Sequence, residues 1–86
     1  VTVAERFSAN LKRARKEAGL KPSELGRLAE LHRTEVYALE QGLRVPRLET
    51  LLKLACSLQV PAEALLEGMA WKPNPVGYGW LEIADA

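Results

Sequence analysis

Apolar residues recur along this chain at helical spacing. Phe7, Leu11, Ala14 and Ala18 follow one another at intervals of four, three and four. That is one face of a helix running from about Val3 to Glu17, with Gly19 as its stop. Pro22 stands where a first helical turn tolerates it, because its missing N–H would be unpaired there anyway. Leu25, Leu28 and Ala29 then predict a second helix over residues 22–29, and Glu30, Leu31 and His32 a turn. Val36 and Leu39 define a third short helix, closed by Gln41 and Gly42. Leu48, Leu51, Leu52, Ala55 and Leu58 give the strongest periodicity in the chain, with Leu54 and Cys56 adding apolar surface. Pro61 starts a last short helix carrying Leu65 and Leu66, and Gly68 ends it. Five short helices joined by connectors of a few residues predict an all-α domain over residues 1–68.

From Met69 onward the pattern changes. Pro73, Pro75, Gly77 and Gly79 exclude a regular helix, and Tyr78 to Ile83 alternates in the manner of an extended segment. Residues 69–86 therefore read as an extended C-terminal tail. It holds both tryptophans and Tyr78, side chains that are costly to leave in water.

Composition narrows the function classes. A chain of 86 residues that is 48% hydrophobic fits one ordinary globular domain. Cys56, the single cysteine, excludes an internal disulfide and, on its leucine-rich helix, is expected to be buried packing. A lone thiol and the lack of a secretory pattern predict a reducing, cytoplasmic setting. No apolar run approaches the roughly 20 residues that span a bilayer, so no membrane partner is expected. His32 is the only histidine, which excludes a paired-histidine metal site and a Ser-His-Asp triad. There is no Gly-rich phosphate loop either, so no catalytic, cofactor or metal site is expected and the chain does not read as an enzyme. The net charge of +1 hides an asymmetry. Residues 1–50 hold ten basic and seven acidic side chains, and the remainder two basic and four acidic. A positive face toward phosphate is compatible with that polarity.

Leu25 to Gly42 is the most informative block. Two short helices and a tight turn can be locked by Leu25, Leu28, Leu31, Val36 and Leu39, leaving polar residues on the start of the second helix. There Arg33 suits guanine O6 and N7 or phosphate, and Thr34 suits phosphate or a thymine methyl. Glu35 suits cytosine N4, and Tyr37 suits the sugar-phosphate backbone.

The ordered set Leu11-Lys12-Arg13-Ala14-Arg15, Gly19-Leu20, Leu25 and Val36 through Gly42 resembles the Cro/C1-type (XRE) helix-turn-helix family. The resemblance continues through Arg44 to Leu52 and Leu58 to Pro61, and covers about residues 7–66. It implies a five-helix, lambda-repressor-like fold that reads double-stranded DNA with its second and third helices. It also implies an ion pair between Arg15 and Glu40. Four departures stand out: Lys21 and His32 replace capping Ser or Thr, Pro22 replaces a phosphate-clamping Gln, Glu30 replaces the turn Gly, and Leu43 replaces a basic residue. Ser23 then takes over the phosphate contact, and His32, Arg44 and Arg47 complete the expected DNA-facing set.

The tail has no counterpart in the minimal domain of that family. Trp71, Tyr78, Trp80, Leu81 and Ile83 are expected to form a dimer arm, the alternative being a tail folded back over its own helices. The leading expectation is a homodimeric transcriptional regulator, a repressor on a palindromic operator. The alternatives are an antitoxin whose tail holds a cognate toxin, a restriction-modification controller, or an adaptor that binds another regulatory protein and not DNA.

Overall fold

The computed structural model describes residues 1–84; Asp85 and Ala86 of the tail lie outside the described residues. Helix α1 (Val3–Glu17) opens on a reciprocal cap. The Glu5 N–H donates to the Thr2 hydroxyl at 3.1 Å, and the Thr2 N–H donates to the Glu5 carboxylate at 2.9 Å. The Thr2 backbone N–H, then its hydroxyl, holds the Glu5 carboxyl below its usual range. Helix α2 (Pro22–Leu28) begins at its proline, and the Lys21 N–H donates to Glu24 at 2.8 Å. Helix α3 (Arg33–Glu40), helix α4 (Leu48–Leu58) and the single turn α5 (Ala62–Leu65) follow.

All five helices send side chains into one core. Phe7, Leu11, Leu25, Val36, Leu39, Leu54 and Leu65 are essentially inaccessible to water. Each such side chain contributes roughly 1.5–3 kcal/mol by leaving solvent.

Three expectations are corrected here. Leu28 does not lock α2 to α3, for it is 52% exposed. Successive helical residues turn by about 100°, so the buried group Leu25, Gly26 and Ala29 leaves Leu28 roughly a quarter turn away. Cys56 is likewise exposed and not packed. The face of α4 that enters the core is Leu51, Leu54, Ala55 and Leu58, and Cys56 points well away from it. Leu48 and Leu52 are also more than half exposed, and Leu66 is partly so.

The tail is not a single extended segment but an antiparallel hairpin of β1 (Met69–Lys72) and β2 (Trp80–Ile83). Met69 faces Ile83, Ala70 Glu82, Trp71 Leu81, and Lys72 Trp80. Alternation puts Met69, Trp71, Leu81 and Ile83 on one face. The base of that face rests on the helices through Met69, while Trp71 and Leu81 extend past them into water. The molecule measures 47 × 23 × 23 Å.

Candidate nucleic-acid interface

Helices α2 and α3 meet because one residue of α2, Gly26, has no side chain. A Cβ on Gly26 would stand 2.9 Å from the Leu31 carbonyl oxygen and 3.5 Å from Val36 Cγ2. The Leu31 N–H donates back to the Gly26 carbonyl at 2.8 Å. Glu30, at φ 56°, supplies the left-handed turn that swings the chain into α3. The reading from sequence missed Gly26. Its only signal there was a glycine inside a predicted helix, which marks a close approach when it is tolerated.

His32 begins α3. Its Nδ1 accepts from the Thr34 N–H at 3.2 Å and lies 2.8 Å from the Thr34 hydroxyl. The imidazole thus does the capping that Ser or Thr performs elsewhere, and that face of His32 is engaged within the chain.

The back of α3 is fixed. Val36, Ala38, Leu39 and Glu40 are buried. The Glu40 carboxylate accepts from Arg15 Nε at 2.6 Å and from Arg15 Nη2 at 2.9 Å, a two-pronged pair in a mostly dry site. Arg15 Nη1 donates to the Leu20 carbonyl at 2.9 Å, and the Ser8 hydroxyl donates to the Glu40 carbonyl. Both ends of the pair are satisfied, which is what makes burying two charges tolerable.

The front of α3 is open. Arg33, Thr34 and Tyr37 are exposed, Tyr37 by 62%, and with Lys21, Pro22 and Ser23 they line one notch. His32, Glu35, Arg44 and Arg47 line the adjoining cleft, together with Lys53. The eight residues singled out in the sequence therefore fall into two neighbouring depressions around the start of α3. Inside the second, Arg44 Nη1 donates to Glu35 at 2.9 Å, and Lys53 stands 3.4 Å from Glu49. Among the described residues Lys21, Arg33 and Arg47 form no ion pair. Exposed cationic and hydroxyl donors at a helix start, where the dipole also favours anions, suit phosphate and base edges. No group of three potential metal ligands occurs among the described residues, and no helix there is long and apolar enough to cross a membrane.

The HTH_3 helix-turn-helix family matches residues 11–65, most of the helical part. The chain belongs to this family. HTH_3 proteins of the Cro/C1 (XRE) type are DNA-binding transcription regulators and not enzymes. Among solved structures, the chain is similar to the restriction-modification controller protein C.AhdI from Aeromonas hydrophila, at 32% identity and a TM-score of 0.70. That alignment covers 72% of this chain and 94% of the controller. A hypothetical transcription factor, NHTF from Neisseria, aligns at 31% identity and a TM-score of 0.71, covering 74% of this chain and 72% of its own. The DNA-binding domain of the P22 C2 repressor shares the fold at 24% identity and a TM-score of 0.69, over 72% of this chain and 82% of that domain. No curated protein matches the chain. The five helices are thus the lambda-repressor-like fold, to which this chain adds the hairpin.

Proposed function

We propose that this HTH_3 regulator is a repressor that binds a palindromic operator as a homodimer. One observation carries the DNA-reading part: the front of α3 offers exposed Arg33, Thr34 and Tyr37 while its back is locked into the core. Inserted in a major groove, Arg33 pairs with a guanine edge, Thr34 meets a methyl or phosphate, and Tyr37 packs on the sugar-phosphate backbone. Ser23 and Arg47 engage phosphates on either side. Glu35 faces cytosine once Arg44 turns from it to phosphate.

The hairpin supports the dimeric part. An isolated two-stranded sheet is marginal in water, its outer edges offer unpaired backbone groups, and Trp71 and Leu81 are exposed on one of its faces. A second copy meeting it as an arm covers that surface and brings two readers to half-sites about 34–36 Å apart.

Selection of bound duplexes from random DNA, followed by a salt titration on the winner, tests the proposal. A two-fold symmetric consensus is expected, with log K falling steeply against log salt. An unenriched pool rules out operator reading and favours the adaptor alternative.

A second reading is favoured by the likeness to C.AhdI over almost all of that protein: the operator belongs to a restriction-modification operon, which this chain controls. Finding the selected sequence upstream of methyltransferase and endonuclease genes distinguishes this from other repressor roles. Copurification of a toxin would instead identify an antitoxin.

A further inference from the structure

Helix α1 carries two polar rows on opposite flanks of its apolar stripe. At about 100° per residue, Ser8 and Arg15 fall on one flank of Phe7, Leu11 and Ala14, and Arg6, Asn10 and Arg13 on the other. The first row grips Glu40, the last residue of the reading helix. The second row grips the root of the hairpin. Asn10, fully buried, donates from Nδ2 to the Leu65 carbonyl at 3.0 Å and to the Glu67 carbonyl at 2.9 Å. Arg6 Nε donates to the same Glu67 carbonyl at 3.0 Å, and Arg13 pairs with the Glu67 carboxylate at 2.9 Å.

A one-turn helix cannot satisfy its own final carbonyls, so these donors complete the end of α5, alongside the packing of Leu65 and Met69 on the core. The chain then turns at Gly68, φ 86°, directly over the Arg6 guanidinium. A Cβ there would stand 2.6 Å from Arg6 Nε. The Gly68 carbonyl accepts from the Ala84 N–H at 2.7 Å, which closes the base of the hairpin on the same spot. Reader and arm are therefore mounted on a single rigid helix, each by its own row.

We propose that the Arg6, Asn10 and Arg13 row, acting through Gly68, determines which half-site spacing the protein accepts. The inference rests on the dimeric operator reading above. One base pair moves a half-site by about 3.4 Å and rotates it by about a tenth of a turn. An arm held at a fixed angle to the reader tolerates no such change, and an arm freed at its root tolerates several. These three are positioning residues that touch no DNA.

The test uses the whole chain and duplexes carrying two selected half-sites whose separation varies in single base-pair steps. The intact protein is expected to favour one separation by about tenfold or more over those two base pairs away. Asn10→Ala removes the two hydrogen bonds to the Leu65 and Glu67 carbonyls, and Gly68→Ala drives a methyl group onto the guanidinium. Each is expected to flatten the preference to within about threefold while leaving affinity for an isolated half-site nearly unchanged. Because Asn10 is buried, its variant risks the fold itself, and Gly68→Ala, whose methyl meets the buried Arg6 guanidinium but no apolar core side chain, decides if circular dichroism shows Asn10→Ala unfolded and Gly68→Ala folded. Variants that keep the intact preference overturn the positioning role alone. An intact protein that binds DNA with no preferred separation overturns the dimeric reading and this inference with it.

Discussion

Glu35 on α3 holds Arg44 of the following connector at 2.9 Å, so that in the free protein the residue proposed to face bases and the residue proposed to face phosphate neutralise each other. Arg44 is more than half exposed, and such surface pairs stabilise by at most about 1 kcal/mol. Phosphate competes for the guanidinium easily. In Glu35→Gln the arginine is free beforehand and a charge repelled by phosphate is gone. Binding to non-specific duplex is expected to tighten, and the slope of log K against log salt to steepen by about one unit. Anisotropy titrations across a salt series check this; an unchanged slope places Arg44 outside the phosphate contacts.

Arg33 and Arg47 should separate by type of effect. Arg33→Ala is expected to cost about 1–3 kcal/mol on the selected operator and relax the preference at one base position. Arg47→Ala should weaken every sequence alike and reduce the salt slope by about one. Repeating the random-sequence selection with each variant separates them, with circular dichroism unchanged in both.

The helices were legible because each core face repeats at 3–4 residue spacing, and the reader because Leu25, Val36 and Leu39 are held in family register. What escaped had a common cause: it depends on neighbours distant in sequence. Over the seven residues of α2, periodicity alone could not separate Leu28 from Ala29 as the inward position. Cys56 sits among leucines on a helix with only one covered face. Asn10 and Arg6 look like ordinary polar residues until the end of α5, more than fifty positions on, is brought beside them. The hairpin was seen only in its second half, because the pairing of Met69 to Lys72 with Trp80 to Ile83 joins segments that no local pattern links.

Glu30 carries a conformational cost. At φ 56° a side chain is strained where glycine is not. Glu30→Gly is expected to stabilise the fold by about 0.5–1 kcal/mol, the relief being partly offset by the greater freedom of glycine when unfolded. For a chain of this size that raises the melting temperature by a few degrees. Loss of a negative charge beside the reader should also tighten non-specific DNA binding. A calorimetric scan showing a lower melting temperature would refute the strain argument.

The Arg15–Glu40 pair is expected to be asymmetric in its energetics. Either single substitution, Arg15→Met or Glu40→Leu, leaves one charge stranded in a largely dry site and should cost about 3–5 kcal/mol. The double variant strands neither and should recover most of that loss, though the Leu20 carbonyl loses its donor. Urea unfolding of the four proteins in a double-mutant cycle measures the coupling. Additive losses would mean the pair is screened by water.

The arm gives the most direct test of assembly. Trp71 lies over Gly79, where a Cβ would come within 2.7 Å of the indole. A 64% exposed tryptophan is the kind of side chain that anchors an interface, and removing such an anchor costs about 2 kcal/mol or more. Trp71→Ala is therefore expected to weaken self-association at least about thirtyfold. The helical core should persist, because Trp71 is absent from the set of side chains that builds it. Sedimentation equilibrium of the intact and substituted chains, with far-ultraviolet circular dichroism on each, reads both quantities. Equal dissociation constants would move the dimer contact off the hairpin. The exposed leucines at positions 48 and 52 of α4 would then be the next surface to substitute.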